Sequence, residues 1–193
     1  MFAMRALGRS GLHVGALGIS ASYGVPAAAV EAAVEGGMTY VDWGSMRRPT
    51  FGGAIRALAA RRVPFTLVLQ SYSPFGWCLV SSVERALRRL GLDRADVLLL
   101  GMWNRRPPPR IIDACESLRS RGLIRTVAVS THRRPLVAEM AASPGIDIFH
   151  VRYNAVHSGA ERDVFPHLPA DGRPGIVAFT ATSWKQLDRK SVV

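Results

Sequence analysis

Residues 37–49 have the sequence GMTYVDWGSMRRP, and this stretch decides how the rest of the chain is interpreted. Tyr40 and Val41 form the apolar centre of a short predicted strand, and Asp42 ends it before the chain turns into a loop. A carboxylate at the end of a buried strand costs free energy unless a cation, a donor or a ligand meets it. In parallel α/β folds the carboxyl ends of the strands carry the binding and catalytic groups. Asp42 is therefore the first candidate site residue.

Strands and helices are predicted to alternate on both sides of this stretch. The predicted strands span residues 16–20, 39–42, 65–70, 96–100, 125–130, 146–151 and 175–179. Such alternation predicts a parallel sheet, either an open doubly wound sheet or a (β/α)8 barrel. A dinucleotide-binding sheet needs Gly-x-Gly-x-x-Gly after its first strand, and residues 21–24 (ASYG) lack that pattern. We therefore predict an α/β fold, a (β/α)8 TIM barrel that is incomplete at about seven units, with an N-terminal β-hairpin over residues 4–15.

Length and composition restrict the class of protein further. With 193 residues, of which 48% are apolar, the chain is long enough for one domain with a substantial core. It contains neither an apolar run of about 18 residues nor a signal peptide pattern, so we expect no membrane partner and a cytoplasmic location. Its two cysteines, Cys78 and Cys115, have neither metal-binding nor disulfide spacing, and no metal site is predicted.

The net charge of +11 comes almost entirely from arginine. The arginines occur as scattered pairs, whereas a nucleic-acid-binding protein concentrates charge on one face and interleaves aromatic residues. We therefore expect no specific nucleic-acid partner. Weak attraction to a phosphorylated cofactor or another polyanion remains open, and the sequence does not indicate an oligomeric state.

Five segments resemble the aldo/keto reductase family and occur in the family's order. They are MRALGRSGLHVGALGIS (4–20), SVERALRRLGLDRADVLLL (82–100), SLRSRGLIRTVAVST (117–131), DIFHVRYN (147–154) and GIVAFTATS (175–183). The resemblance implies a barrel of aldo/keto reductase type, forming a single domain over residues 1–187. It also implies metal-free transfer of hydride from NADPH, with NADP as the cofactor and a small-molecule aldehyde or ketone as the substrate.

The catalytic set of that family is Asp, Tyr, Lys and His, and the resemblance matches only its aspartate, at Asp42. Arg47 and Arg48 stand where Tyr followed by Gly is usual. The segment ending at Tyr72 has no lysine at the usual place, and Gly101 stands where the histidine is expected. In one interpretation Tyr72 is a substitute acid and Arg47 a replacement cation. In the other, Asp42 pairs with an arginine or caps the loop as an Asx turn.

The resemblance also assigns cofactor contacts to five residues: Asp42, Ser130, Thr131, His150 and Phe179. Ser130 matches the serine that holds the nicotinamide carboxamide, and Thr131 and His150 replace the usual Asn and Gln with groups that still form hydrogen bonds. Phe179 matches the aromatic residue that stacks on the nicotinamide ring. Three of these residues also have a purely structural interpretation. Ser130 would begin a turn, His150 would be a hydrogen-bonded core histidine, and Phe179 would pack in the barrel wall.

Two functions remain open from the sequence. One is an NAD(P)H-dependent reductase of aldehydes or ketones; the other is a non-catalytic relative, a pseudoenzyme that binds a nucleotide or a partner. Residues 188–193 (DRKSVV) have neither a strand nor a helix pattern, and we predict a non-native tail there. The family's eighth strand and following helix, which grip the cofactor phosphates, are not recognised in this sequence. We therefore expect a fragment whose open outer strands make it poorly soluble.

Overall fold

The structure is a computed structural model that describes residues 3–181, apart from the side chain of Tyr23. The predicted tail at residues 188–193 lies outside the described residues, and the single domain over residues 1–187 stays a prediction. None of the described helices is long and apolar enough to cross a membrane.

The chain begins with the predicted hairpin. Strand β1 (Met4–Ala6) pairs antiparallel with β2 (His13–Gly15), and the turn between them buries Leu7 and Leu12. Gly8 has a φ of +53°, and a Cβ there would lie 2.3 Å from the backbone nitrogen of Gly175. Only glycine combines this conformation with so close an approach, so the hairpin sits tightly against the far end of the chain.

Seven parallel strands form the main sheet. They are β3 (Gly18–Ser20), β4 (Tyr40–Asp42), β5 (Thr66–Ser71), β6 (Ala95–Leu100), β7 (Ile124–Thr131), β8 (Ile148–Arg152) and β9 (Gly175–Phe179). Their order in the sheet is their order along the chain. All seven lie where the sequence predicts strands.

Helices connect the strands. They are α1 (Ala27–Glu35), α2 (Pro49–Ala60), α3 (Gly76–Leu90), α4 (Pro109–Ser120), α5 (Pro135–Met140) and α6 (Ala160–Asp163). Helix α3 begins at Gly76, where an added Cβ would lie 2.9 Å from the carbonyl oxygen of Arg110.

The side chains of each strand alternate between two apolar layers. Outward-facing residues such as Val41, Leu69 and Phe149 pack with the helices. Inward-facing residues such as Val68 and Ile148 pack with the hairpin. The sheet curls around this inner layer as an incomplete barrel, with β3 and β9 as its outer strands in the described part of the chain. The predicted fold is confirmed.

Candidate functional site

Asp42 ends β4 at the carboxyl edge of the sheet, as the sequence predicts. Its Oδ1 accepts a hydrogen bond from the Gly44 backbone N–H at 2.8 Å, which is the geometry of an Asx turn. Its Oδ2 accepts one from the Ser20 hydroxyl at 3.2 Å. Burial raises the pKa of this carboxyl, whereas these two bonds and the nearby charge of Arg47 oppose the rise. The carboxylate is thus held by donors, and no ion pair with an arginine is formed among the described residues.

The loop after β4 folds the side chain of Arg47 back into the molecule. Its guanidinium donates to the carbonyl oxygen of Gly44 and, at 3.0 Å, to that of Gln70 at the end of β5. It also lies over the ring of Trp43, 5.4 Å from the centroid. Burial lowers the pKa of Arg47 to about 10, which still leaves it a cation at neutral pH.

Gln70 links this cation to Tyr72. The side-chain Nε2 of Gln70 donates to the Tyr72 hydroxyl at 3.1 Å, while its backbone carbonyl accepts from Arg47. The Tyr72 ring is 51% exposed and lies against Gly101, where an added Cβ would be 2.5 Å from a ring carbon. Tyr72 therefore occupies the space that a side chain at position 101 needs, and its phenol faces the mouth of the barrel.

Three loops at this edge contain a non-glycine residue with a left-handed backbone. The three residues are Arg47 (φ 48°), Met102 (φ 58°) and Thr180 (φ 55°). This conformation costs free energy for residues with a Cβ, and such strained residues cluster at functional sites, although Arg62 (φ 58°), after α2, has it too. The sequence gives no sign of it, since none of these three residue types favours positive φ.

Ser130 and Thr131, at the end of β7, hold the neighbouring loop. The Ser130 hydroxyl accepts a hydrogen bond from the Met102 N–H at 2.9 Å and keeps its own proton for a further acceptor. The Thr131 hydroxyl donates to Asn104 at 3.2 Å and accepts from the Arg133 N–H at 3.0 Å. Among the described residues the Ser130 hydroxyl proton thus has no acceptor, whereas both functions of the Thr131 hydroxyl are used within the loop.

His150 points into the interior of the barrel from β8. Its Nε2 lies 2.8 Å from the hydroxyl of Tyr40 on β4, and both side chains are buried. Burial lowers the pKa of His150 to about 4 and, together with the charge of Asp42, raises that of Tyr40. Tyr40 is not among the site residues that the sequence predicts. Its position two residues before Asp42, on the same face of the strand, is the signal that was available.

A cavity of about 360 Å³ between β3 and β9 brings some of the predicted residues together. Its walls include Asp42, His150 and Phe179, and also Tyr40, whereas Ser130 and Thr131 do not line it. The Phe179 ring is partly exposed and meets the edge of His132, with ring centroids 5.6 Å apart. The predicted residues thus form two neighbouring groups. One consists of Asp42, His150 and Phe179 at the cavity, and the other of Ser130 and Thr131 outside it.

These groups fit the nicotinamide end of NADP(H). They offer an aromatic face at Phe179, a free hydroxyl donor at Ser130, and a buried imidazole at His150. Their roles in cofactor binding stay predictions. Among residues 3–181 no three His, Cys, Asp or Glu side chains form a group that would hold a metal ion.

Comparisons with known proteins concern both the sequence and the fold. The profile of the Aldo/keto reductase family matches residues 68–184, which is more than half of the chain. The holo form of an aldo-keto reductase from Bacillus halodurans is 25% identical, with a TM-score of 0.68, over 79% of this chain and 58% of that protein. An aldo/keto reductase from Klebsiella pneumoniae, solved with NADP and acetate, shares the fold with a TM-score of 0.72 and 24% identity, over 95% of this chain and 69% of that one. No curated protein matches the chain. The chain thus spans less than two thirds of the Bacillus halodurans protein.

Proposed function

Because the chain belongs to the aldo/keto reductase family, we propose that it binds NADP(H) at the carboxyl edge of the sheet and reduces a small aldehyde or ketone there. The family match supports the cofactor and the reaction class. When bound, NADPH supplies the hydride. The residues proposed to hold it are Asp42, Ser130, Thr131, His150 and Phe179. What remains for the protein is to orient the carbonyl group and to donate a proton to its oxygen.

The observation that carries the proposal is the path of polar contacts from Asp42 to Tyr72. Asp42 lies close enough to Arg47 for each charge to affect the pKa of the other group. Arg47 binds the backbone carbonyl of Gln70, whose side chain binds the Tyr72 hydroxyl. A carboxylate, a cation and a phenol therefore follow one another along the mouth of the barrel, although the cation reaches the phenol only through Gln70.

We propose Tyr72 as the proton donor to the carbonyl oxygen. Its hydroxyl accepts from Gln70 and keeps its own proton, and half of the side chain is open to an incoming molecule. A phenol is a slow proton donor at neutral pH unless a nearby cation assists it, and Arg47 reaches this phenol only through Gln70. Because Arg47 is not in contact with the phenol, we expect slow turnover.

A second candidate function, binding without turnover, is favoured by the contact between Tyr72 and Gly101. By resemblance a histidine that orients the carbonyl belongs at position 101, and the Tyr72 ring fills the space that its side chain needs. Without that histidine, and with no lysine beside the phenol among residues 3–181, the barrel would bind the nucleotide as a pseudoenzyme.

One experiment tests the first function and separates it from the second. NADPH is titrated while tryptophan fluorescence is followed, and the oxidation of NADPH is then measured with a panel of aldehydes and ketones. We expect binding, slow turnover and a loss of at least about 100-fold in kcat for Tyr72→Phe. The matched control is Tyr153→Phe, because the Tyr153 hydroxyl binds Glu161 at the surface.

Each outcome assigns a function or removes one. Binding with turnover that falls in Tyr72→Phe and not in Tyr153→Phe supports the reductase. Binding without turnover selects the pseudoenzyme, and turnover that is equal in all three proteins removes Tyr72 as the donor. If NADPH does not bind, both functions are wrong.

A further inference from the structure

The hydrogen bond between Tyr40 and His150 crosses the interior of the curled sheet. The two residues are 110 positions apart in the chain, on β4 and β8, and their rings are tilted at 47° with centroids 5.8 Å apart. Apolar side chains of the inner layer, including Val68, Val97 and Leu99, surround them. Polar atoms in such surroundings are stable only when they are paired, so the direction of this bond matters.

The surroundings indicate that Tyr40 donates. Both groups are neutral at pH 7, because burial lowers the pKa of His150 to about 4 and raises that of Tyr40. The Tyr40 hydroxyl forms one hydrogen bond within the described part of the chain. If it accepted from Nε2–H, both its own O–H and the lone pair of Nδ1 would lack a partner among the described residues, whereas donation leaves only Nδ1–H without one. When it donates to Nε2, the proton of His150 is placed on Nδ1.

The other ring nitrogen of His150, Nδ1, has no hydrogen-bond partner among residues 3–181. His150 lines the cavity of about 360 Å³, together with Asp42 and Phe179. Nδ1–H is therefore a donor without a partner beside a space where a molecule fits. Its natural partner is an oxygen that only accepts, as in a ketone, an aldehyde or a carboxamide.

We propose that Tyr40 is a positioning residue that keeps His150 in the Nδ1–H tautomer, so that His150 donates a hydrogen bond to a carbonyl or carboxamide oxygen in this cavity. The inference rests on the proposed function, in which the nicotinamide carboxamide of NADP(H) provides that oxygen. Tyr40 acts only through His150 and does not touch the reacting atoms. Without its hydroxyl, the imidazole has no fixed tautomer and loses its orientation.

The tautomer is measured first, in the protein without any ligand. In ¹⁵N-labelled protein, long-range ¹H–¹⁵N spectra distinguish the two ring nitrogens of each of the five histidines, and His150→Gln identifies the signals of His150. We expect a proton on Nδ1 in the wild type and in Tyr153→Phe, and a mixture of tautomers in Tyr40→Phe. A proton on Nε2 in the wild type, or an unchanged tautomer in Tyr40→Phe, overturns the inference.

Binding is measured second, by calorimetry with NADP⁺ and with 2′-phospho-ADP-ribose, which lacks nicotinamide. Tyr40→Phe should weaken the binding of NADP⁺ about tenfold and leave 2′-phospho-ADP-ribose unaffected, because one hydrogen bond to the carboxamide is lost. In the double variant Tyr40→Phe/His150→Gln the affinity for NADP⁺ should recover, since a glutamine amide needs no tautomer. Equal weakening for both ligands, or no recovery, contradicts the inference.

The two measurements also separate this inference from the proposed function. If the wild type binds neither ligand, the proposed function is wrong. The tautomer measurement alone then decides whether Tyr40 positions His150. A mixture of tautomers in Tyr40→Phe supports this positioning role, and an unchanged Nδ1–H tautomer refutes it. Thermal unfolding of each variant is the control that checks whether the fold is retained.

Discussion

The two ends of the sheet are built differently. At the amino end the hairpin closes the barrel through close packing, with Leu7 and Leu12 buried and Gly8 against the backbone of Gly175. At the carboxyl end the loops are held by hydrogen bonds, Arg47 has a left-handed backbone and Tyr72 is half exposed. One sheet thus separates a close-packed end that stabilises the fold from a polar end that carries the candidate chemistry, as in barrels generally. We expect substitutions at the two ends to differ in stability accordingly.

The largest loss of stability is expected for Gly8→Ala. The new Cβ meets the backbone of residues 173–175 within 2.6 Å, in a conformation that alanine rarely adopts, so the hairpin must move away from β9. We expect the free energy of unfolding to fall by at least about 3 kcal/mol, measured by urea denaturation. Gly11→Ala is the matched control, because Gly11 also has a positive φ of +69° but has no atom within 4 Å of an added Cβ. A loss of unfolding free energy no larger than that of Gly11→Ala would show that close packing of the hairpin does not close the amino end.

Between the two ends, His150 should make stability depend on pH. Its pKa is about 4 in the folded chain against 6.5 in the unfolded chain, so the unfolded state takes up the proton first as the pH falls. The stability from the neutral imidazole is complete above pH 6.5 and is lost between pH 6.5 and 4, by about 3 kcal/mol over the whole window. Denaturation curves at several pH values measure it.

The matched variant for that pH series is His150→Gln. The raised pKa of nearby Asp42 acts in the opposite direction, because a carboxyl that binds its proton more tightly when folded gains stability as the pH falls. Tyr40 stays protonated throughout. The contribution of His150 is therefore the difference between the wild type and His150→Gln. The same pH dependence in both would contradict the buried, neutral histidine.

A smaller loss is expected for Arg47→Gln at the carboxyl end. The substitution removes the guanidinium donors from the carbonyl oxygens of Gly44 and Gln70 and the cation from the ring of Trp43. We expect a loss of about 2 kcal/mol in thermal or urea unfolding. Arg48→Gln, at an exposed position, is the control and should leave stability unchanged. Equal effects of the two substitutions would mean that the buried contacts of Arg47 do not hold the loop.

The smallest effect on stability is expected for Tyr72→Phe. The phenol gives up one hydrogen bond to Gln70 at an exposed position, so the free energy of unfolding should change by less than about 0.5 kcal/mol. Any large fall in turnover then comes from the chemistry of the hydroxyl. A loss of stability comparable to that of Arg47→Gln would place Tyr72 in the structural framework.

The order of strands and helices was predictable because it depends on local patterns. Apolar runs such as Asp96 to Leu100 and a glycine stop such as Gly91 act over a few residues, and the structure places β6 and the end of α3 there. Asp42 was predictable as a site residue for the same reason, since it directly follows an apolar strand.

The contacts within the site were less predictable because they depend on curvature. Tyr40 meets His150 only because the sheet curls through the three strands that lie between β4 and β8, and Tyr40 has the sequence of an ordinary core position. The return of Arg47 to Gln70 depends on a left-handed backbone that is unusual for arginine. The sequence thus predicted the edge of the sheet where the site lies, but not which residues meet there: Tyr40 with His150, and Arg47 with Gln70.

The order of the strands has a consequence for how the molecule assembles. Each strand pairs with the strand that precedes it in the chain, so a growing chain can add one unit at a time to the edge already formed. The hairpin is the exception. Although it precedes the sheet in the chain, its partners include the backbone of Gly172 and Arg173, and the bond from Arg9 to Gly172 spans 163 positions. The hairpin is therefore among the last segments of the described chain to dock, and its bond from Arg9 to Gly172 closes a loop of 163 positions.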